Sequence, residues 1–428
     1  MPAPSSTSRS SLDIAVIGGG PAGYFAAITA KETNPGCRVT ILEKSARVLG
    51  KVKISGGGRC NITHDSPDPR ELAEHYPRGR RELIGPFTRF GAPDAAAWFT
   101  AHGVPLRTFP DGCVFPASDM SRTVIDCLTG EAKRLGVALC LSREVIGIRR
   151  DGGGFLLSTE GGETLAADRV LIATGGRARK PGEVGPYRPT GGYALAASLG
   201  HTIATPVPSL FTFTVKDPLL DDLAGIVVDP VAVRAPGVKG LPPQEGPLLI
   251  THWGLSGPAI LKLSAWGARA FGEAGYRFTI AVDWLPQLAD RELEGSLTDL
   301  LAANKSKQLK AFGPWSLSRR LWVRLLGRAG LDPARRWGDV GPRQLEALVR
   351  TLKATELTVS GQSAFKDEFV ACGGVLLKEV DLRTMQSRLA PGLHFAGEVL
   401  DIDGVTGGFN FQACWTTGRL AGLAMASG

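Results

Sequence analysis

The stretch that decides the fold is "LDIAVIGGGPAGYFAAITAKE", Leu12 to Glu32, near the start of a chain of 428 residues. It joins an apolar run, a glycine turn and an alanine-rich segment. Gly18, Gly20 and Gly23 form a G-x-G-x-x-G motif between a predicted strand and a predicted helix, which is the context that the motif requires. The spacing predicts a Rossmann-type turn that binds a dinucleotide pyrophosphate at the N-terminus of the helix.

The next strand supplies an acidic partner for this turn. The segment "RVTILEK" carries Glu43, about twenty residues after Gly23, the distance at which a carboxylate binds the adenosine ribose. Glu43 disfavours a 2′-phosphate, because two negative charges would meet there. The motif therefore predicts FAD or NAD rather than NADP. The structural alternative is a glycine-rich turn that binds nothing.

Later segments favour FAD. "ADRVLIATGG", 167–176, is an apolar strand followed by glycines, and the glycine-punctuated runs before it indicate a β-meander. Near the C-terminus, another strand leads to Gly397 and Glu398, whose carboxylate suits the hydroxyls of a ribityl chain. The start of the last helix, 408–412, is expected to direct its N–H groups and dipole at the flavin pyrimidine ring.

These residues carry a resemblance to a known family. The chain resembles the bacterial flavoproteins labelled aminoacetone-oxidase-like, a family that includes members linked to bile-acid metabolism. The matching blocks are "IGGGPAG", "LEK", "KISGGGRCNIT", "ATGG", "THWGLSGPAILKLS" and "GLHFAGEVLDIDGVTGGFNFQACWTTG". The resemblance implies non-covalent FAD on a fold of the two-dinucleotide-binding type, with a middle domain inserted into the FAD domain.

The motifs and the resemblance together predict the residues around FAD. No second G-x-G-x-x-G follows a strand, so NADH or NADPH is expected only as a transient electron donor that docks without one. The expected cofactor-binding residues are Gly18, Gly20, Pro21, Ala22, Gly23, Glu43, Lys44, Gly50, Lys51, Gly56, Gly57, Gly58, Arg59, Cys60, Asn61, Ala173, Thr174, Gly175, Gly176, Gly397, Glu398, Gly407, Gly408, Phe409, Asn410 and Phe411.

Four residues are candidates for catalysis. Arg59 either neutralises the pyrophosphate or orients a substrate anion, and Asn61 can donate to the flavin ring. Cys60 is either a reactive thiol or, as we expect, a small packed side chain. His252 is either a general acid or, the alternative we favour, a hydrogen-bonded residue at a strand–helix turn. His394, within a strand, is expected to be structural.

The order of strand-like and helical segments predicts an α/β protein with several parts. We expect a Rossmann-like FAD-binding domain with a β-meander, an inserted β-rich domain and a small helical subdomain. The predicted boundaries are 1–11 for a disordered tail, 12–190 and 363–428 for a discontinuous FAD-binding domain, 191–287 with 356–362 for the β-rich domain, and 288–355 for the basic helical subdomain.

The net charge of +8 is concentrated in that helical segment. Between Lys305 and Arg350, eleven basic residues face only Asp332, Asp339 and Glu346. The segment "LSRRLWVRLLGR" combines arginines with an apolar stripe at helical spacing. This helix either packs on the β-rich domain, our default, or binds nucleic acid or an anionic membrane surface.

Composition excludes several classes of protein. Seven cysteines without a C-x-x-C pair argue against a disulfide framework, and the histidines and cysteines lack metal-ligand spacing, so we expect no metal. No signal peptide and no long apolar run is found, which predicts a cytoplasmic protein without a transmembrane segment.

The predicted function is that of an FAD-dependent oxidoreductase that transfers hydride between a small organic substrate and flavin N5. The resemblance points to amine or amino-ketone oxidation on one side and to NAD(P)H-fed double-bond reduction on the other. By default the partner is a small molecule and not a nucleic acid. The alternative is a flavin-containing binding or regulatory protein that uses its basic helical subdomain on nucleic acid or an anionic membrane surface.

Overall fold

The structure, a computed structural model, describes residues 11–177, 187–315, 317–362 and 370–427. The predicted tail lies outside these residues, apart from its last position. The chain forms two compact units, one made of Met1–Val207 with Val370–Gly428 and the other of Pro208–Phe369.

The helices and strands of the described residues are as follows. The helices are α1 Pro21–Thr33, α2 Gly50–Gly58, α3 Pro69–Glu74, α4 Ile84–Arg89, α5 Ala92–Ala101, α6 Ser121–Arg134, α7 Gly192–Ser198, α8 Pro258–Trp266, α9 Ala268–Glu273, α10 Asp290–Ala303, α11 Arg319–Arg328, α12 Pro342–Lys353 and α13 Phe409–Ala426. The strands are β1 Asp13–Ile17, β2 Arg38–Leu42, β3 Thr63–His64, β4 Leu106–Thr108, β5 Cys113–Pro116, β6 Ala138–Cys140, β7 Val145–Asp151, β8 Gly154–Thr159, β9 Thr164–Ala167, β10 Arg169–Ile172, β11 Ile203–Ser209, β12 Phe213–Val215, β13 Val227–Arg234, β14 Gln244–Thr251, β15 Gly254–Ser256, β16 Phe278–Asp283, β17 Thr355–Gln362, β18 Val370–Val375, β19 Val380–Asp381, β20 Gln386–Ser387 and β21 Leu393–Phe395.

The first unit is built on a seven-stranded sheet in the order β19-β20-β21-β10-β1-β2-β6. The apolar run of β1 is buried because the strand lies inside the sheet, parallel to both of its neighbours. Ala15 pairs with Val170 on one side and with Thr40 on the other. Helices α1 and α13 pack against each other, so the first and last helices of the chain meet.

The Rossmann-type domain and the β-meander are confirmed. Strands β7, β8 and β9 form a separate antiparallel sheet between β6 and β10 in the chain. The meander then leads directly into β10, which returns to the centre of the parallel sheet next to β1. This arrangement places the glycines after β10 at the same sheet edge as the glycine turn after β1.

The second unit is a closed β-barrel with helices packed on it. Its strands follow the order β12-β15-β14-β13-β16-β17. The apolar stripe of α11, with Leu321, Trp322, Leu325 and Leu326, is buried in a core that also contains Val282 of the barrel. The β-rich second domain is thereby confirmed, and the apolar face of this helix is covered by its own unit.

Two features differ from the predicted domain boundaries. Residues 191–207 lie in the first unit, because β11 forms a two-stranded sheet with β18 of that unit. The segment 288–355 lies in the same unit as the barrel, because both contribute to one continuous apolar core. Both differences arise from long-range contacts that local patterns do not specify.

Candidate active site

The glycine turn connects β1 to α1 and leaves no room for a Cβ at Gly18 or Gly23. Gly18 has a φ of 112°, which favours glycine, and its N–H donates to the Leu42 carbonyl of β2 at 2.9 Å. A Cβ on Gly23 would lie 2.1 Å from the Gly18 carbonyl oxygen. The first N–H groups of a helix have no intrahelical acceptor, so the start of α1 offers donors and positive potential to an anion.

Glu43 is held against this turn. Its Oε2 accepts from the Gly19 N–H at 2.7 Å, and its Oε1 accepts from the Ser45 N–H at 2.9 Å. The carboxylate is half-buried, so its orientation is fixed while part of it still faces solvent. Lys44 follows as an exposed residue. The structure thus brings together the glycine turn and the acidic residue that the sequence paired.

The segment 50–61 begins as a helix and then changes direction. Helix α2 is interrupted at Ser55, Gly56 and Gly57, where the backbone leaves helical geometry and the two glycines have positive φ. The Arg59 Nε then donates to the Gly56 carbonyl at 3.2 Å. Its guanidinium carbon lies 4.3 Å from the centre of the Phe115 ring, a cation–π contact that orients the charge.

Asn61 meets the beginning of α13. A Cβ on Gly408, which has a φ of 92°, would lie 2.8 Å from the Asn61 Oδ1. That oxygen is buried and has no hydrogen-bond partner among the described residues. A buried acceptor without a donor is costly, so this position fits a ligand that supplies an N–H or O–H group.

The thiol of Cys60 is fully buried. Burial raises the pKa of Cys60 to about 12, against a weaker lowering by the Ser55 hydroxyl. Burial likewise raises the pKa of nearby Cys113 to about 11. All seven cysteines are free. Because a thiol with a raised pKa stays protonated near neutrality, these observations favour the packed alternative for Cys60.

A second group of candidates converges at the ends of β10 and β21. The Glu398 Oε2 forms an ion pair with the Lys51 Nζ at 2.5 Å, and its Oε1 accepts from the Ala371 N–H at 2.7 Å. A Cβ on Gly176 would lie 2.8 Å from the Glu398 Cγ. Gly397 donates through its N–H to the Thr417 hydroxyl of α13 at 2.9 Å. Three distant parts of the sequence therefore meet here.

A ring cluster beside the same glycine turn of α13 was not predicted from the sequence, although Phe409, one of its members, was predicted to bind the cofactor. The His64 Nδ1 lies 3.2 Å from the Gly407 carbonyl oxygen, and the His64 ring centre lies 4.7 Å from that of Phe409. His75 stacks on Phe409 with ring centres 4.1 Å apart. The Tyr76 hydroxyl donates to the Phe409 carbonyl at 2.5 Å. The available signal was the position of His64, three residues after Asn61 in the same glycine-rich block.

His252 belongs to the second unit. It lies exposed in the turn between β14 and β15 of the second unit, and not at a strand–helix turn as predicted. It lines a cavity of about 700 Å³ whose other polar side chains include Lys216, Asp217, Asp222 and Arg320. His394, by contrast, is buried in β21, where its Nδ1 lies 3.0 Å from the Thr384 carbonyl oxygen.

Taken together, the features of the first unit fit an extended dinucleotide. The glycine turn and the start of α1 suit a pyrophosphate, and Glu43 suits a ribose. The unpartnered oxygen of Asn61 lies beside the first turn of α13. The first N–H groups of that helix, like those of α1, have no acceptor within their own helix. The class defined by this fold and this site is that of the flavin-binding Rossmann proteins.

The chain belongs to the HI0933-like family, since the family model described as "HI0933-like protein Rossmann domain" matches residues 12–424. It is 31% identical to the 3-dehydro-bile acid delta(4,6)-reductase of Clostridium scindens, over 96% of this chain and 98% of the relative. It is also 31% identical to the ribosomal RNA dihydrouridine synthase of Escherichia coli K12, over 95% of this chain and 96% of the relative.

A solved structure has the same fold. The 3-ketosteroid-delta4-(5alpha)-dehydrogenase of Rhodococcus jostii RHA1 aligns with a TM-score of 0.50 and 18% identity, covering 99% of both chains. The resemblance described from the sequence is confirmed: this is an FAD-dependent oxidoreductase, and its cofactor is FAD. Among the described helices, none has the length and apolar character needed to cross a membrane.

Proposed function

We propose that this protein is a reductase that adds hydrogen across a carbon–carbon double bond conjugated with a carbonyl group. One observation carries the proposal: two nearly full-length relatives, equally similar to this chain, bear names of reactions that share this step. A 3-oxo bile acid with 4,6 unsaturation contains such a bond. Uridine contains one as well, because its C5–C6 double bond is conjugated with the C4 carbonyl, and its saturation yields dihydrouridine.

The reaction needs a hydride and a proton. Bound FAD, once reduced by NADH or NADPH, supplies the hydride, and the proton comes from water or a side chain. The electrons therefore pass from the nicotinamide to the substrate carbon, and the double bond becomes a single bond. This balance requires no metal and no reactive thiol, which agrees with the buried, protonated state of Cys60.

In this proposal the residues of the first unit hold and orient the reactants. The free N–H groups at the start of α1 and the carboxylate of Glu43 bind the adenosine diphosphate end. Asn61 and the first turn of α13 bind the ring end, where the helix dipole stabilises negative charge. Arg59, held over Phe115, offers a fixed positive charge to a substrate carbonyl or phosphate.

Uridine in RNA is the substrate that we favour. The chain has a net charge of +8, which suits a polyanion better than a single carboxylate. A 3-oxo steroid acid is the second candidate, because the bile-acid reductase is as similar to this chain as the RNA-modifying relative. An RNA substrate and a nicotinamide donor are both cytoplasmic, so we expect the protein in that compartment.

The test offers both substrates to the holoprotein without oxygen. The flavin is first reduced with NADH or NADPH, then mixed with unmodified ribosomal RNA transcript or with a 3-oxo-4,6-dienoic bile acid. Nucleoside mass spectrometry detects uridine that has gained two hydrogens, and loss of dienone absorbance detects steroid reduction. Samples without nicotinamide serve as the control. If the flavin is reduced but neither substrate gains hydrogen, the proposed reaction is wrong.

A further inference from the structure

The second unit carries a cluster of cations without acidic partners. Arg324 and Arg328 of α11 do not belong to this cluster, because they form ion pairs with Asp222 at 3.6 Å and with Asp217 at 2.9 Å. The members of the cluster, which we name the basic surface, are Lys305, Lys307, Lys310, Arg319, Arg335 and Arg336. None of them forms an ion pair with a described Asp or Glu. All are exposed except Lys310, which is half-buried.

The basic surface is assembled by backbone hydrogen bonds between two chain segments. The Leu309 N–H donates to the Arg335 carbonyl at 2.8 Å, and the Trp337 N–H donates to the Lys307 carbonyl at 3.0 Å. These bonds bring two basic segments of the chain together, and like charges on neighbouring segments repel each other in the absence of counter-charge. An anionic partner that lies along both segments would relieve this repulsion.

Arg319, a member of the basic surface, lies at the N-terminus of α11, which is the positive end of the helix dipole. The Arg319 Nε donates to the Lys310 carbonyl at 2.9 Å, and no acidic residue lies in the first turn of α11. Cations are unfavourable at the N-terminus of a helix, because the dipole is positive there. The cap is made instead by Ser318, whose hydroxyl accepts from the Leu321 N–H at 3.3 Å.

The basic surface rests on a rigid apolar base. Trp322 and Trp337 are fully buried with parallel rings whose centres are 6.3 Å apart, and the Trp322 Nε1 donates to the Leu309 carbonyl at 2.8 Å. The apolar side chains of α11 are thus used inside the unit. A helix that binds a bilayer inserts its apolar face, so this arrangement does not favour a membrane.

We propose that the basic surface binds the phosphate backbone of RNA. Fixed Lys and Arg side chains contact phosphates without regard to base sequence, and they gain affinity from the release of counterions. The inference rests on the proposed function for the identity of the polyanion. It concerns binding by the second unit alone, and not the reducing step.

The experiment compares charge reversals on the basic surface with the same charge change elsewhere in the second unit. Binding of a labelled, uridine-containing single-stranded RNA is followed by fluorescence anisotropy at increasing KCl, with phosphatidylserine-containing vesicles as the membrane arm. The surface variant combines Lys305→Glu, Lys307→Glu and Arg335→Glu, and a milder version replaces the same residues by Gln. The control variant combines the exposed Arg234→Glu, Lys239→Glu and Arg291→Glu.

We expect the reversal to weaken RNA binding about tenfold or more at low salt, and the Gln version to weaken it less. The slope of log affinity against log salt should fall by about 0.7 for each phosphate that the variant no longer neutralises. The control should stay within about twofold of the original protein. Circular dichroism and flavin absorbance verify folding. Equal losses in the surface and control variants, or vesicle binding abolished by the surface variant alone, would overturn the inference.

The dihydrouridine assay separates this inference from the proposed function. If the basic surface binds RNA but no uridine is reduced, the inference stands and the proposed substrate is wrong. If uridine is reduced while the surface variant binds RNA as well as the original protein, the proposed function stands and the inference is wrong.

Discussion

Lys51 and Glu398 form an ion pair at 2.5 Å although most of the chain separates them. Both residues were predicted to lie beside FAD, but their contact with each other was not predicted. Glu398 is largely buried and also accepts from the Ala371 N–H, so the pair connects α2 to the segment that follows β21. An ion pair therefore connects the two parts of the first unit that flank the proposed flavin position.

We predict that Lys51→Met and Glu398→Gln weaken FAD binding about fivefold. A partly exposed ion pair contributes about 1 kcal/mol, which corresponds to roughly that factor. FAD affinity is measured by flavin fluorescence quenching on titration of the apoprotein. Arg80→Met is the control, because it breaks the exposed pair with Glu74, at 2.7 Å in the same unit. An equal effect of Arg80→Met would mean that the Lys51–Glu398 pair has no special role in binding.

Replacing Gly20 by Ala should weaken FAD binding while the fold is retained. A Cβ there would meet only the Ala173 carbonyl oxygen, at 4.0 Å, so the protein itself has room for it. It would, however, project where the pyrophosphate must approach the backbone. We expect a loss of at least about tenfold in FAD affinity with an unchanged melting profile of the apoprotein. Gly85→Ala, also in open space, is the control.

Gly20 and Glu43 illustrate what the sequence predicts well. The glycine turn needs a strand before it and a helix after it, and Glu43 follows at a fixed distance, so local patterns suffice. Closure of the barrel and pairing of β11 with β18 were not foreseen, because alternation of side chains reveals a strand but not its partner. The ring cluster of His64, His75 and Phe409 was missed for the same reason, since its members come from separate elements.

The buried thiols should make the protein sensitive to alkali. Burial raises the pKa of Cys60 to about 12, whereas an unfolded thiol ionises near 9. The folded state therefore binds the thiol proton more tightly than the unfolded state does. The resulting contribution to stability is fully present below about pH 9 and is lost as the pH rises towards 12. Near pH 10 this thiol alone should cost about 1.4 kcal/mol of the free energy of unfolding.

The measurement is the urea midpoint at about pH 8 and pH 10 in a non-thiol reductant. Cys60→Ser should reduce the difference between the two pH values by about 1.4 kcal/mol, and it should keep FAD. Cys140→Ser, at a half-buried site, is the control and should leave most of the difference in place. A Cys60→Ser protein that retains FAD but loses all activity would instead favour the reactive-thiol alternative.

Acid should destabilise the protein through His394. Burial lowers the pKa of His394 to about 4, against a weaker raising by the Thr384 carbonyl. As the pH falls, the His394 imidazole is protonated in the unfolded chain before it is protonated in the folded protein. The contribution of the neutral ring to stability is therefore fully present above about pH 6.5 and decreases as the pH drops towards 4. Near pH 5.5 the cost is about 1.4 kcal/mol.

His394→Asn keeps a donor near the Thr384 carbonyl but removes the titrating ring. Its urea midpoint should be lower near pH 7, and it should depend less on pH between about 7 and 5. His252→Asn removes an exposed imidazole from the second unit and should keep the acid dependence of the original protein. If His394→Asn is as acid-sensitive as that control, another buried group is responsible.

Arg59 offers a way to separate two roles that the sequence left open. Its guanidinium lies over the Phe115 ring and donates a hydrogen bond to the Gly56 carbonyl. Among the described residues, none of the glycine turn after β1 forms a hydrogen bond with it. We therefore expect Arg59→Met to leave FAD affinity unchanged and to raise the KM for an anionic substrate about tenfold, the value of one charge-assisted hydrogen bond. Arg107→Met is the control, because Arg107 also stacks on a phenylalanine, Phe109, at 4.5 Å. A fall in FAD affinity with an unchanged KM would assign Arg59 to the pyrophosphate instead.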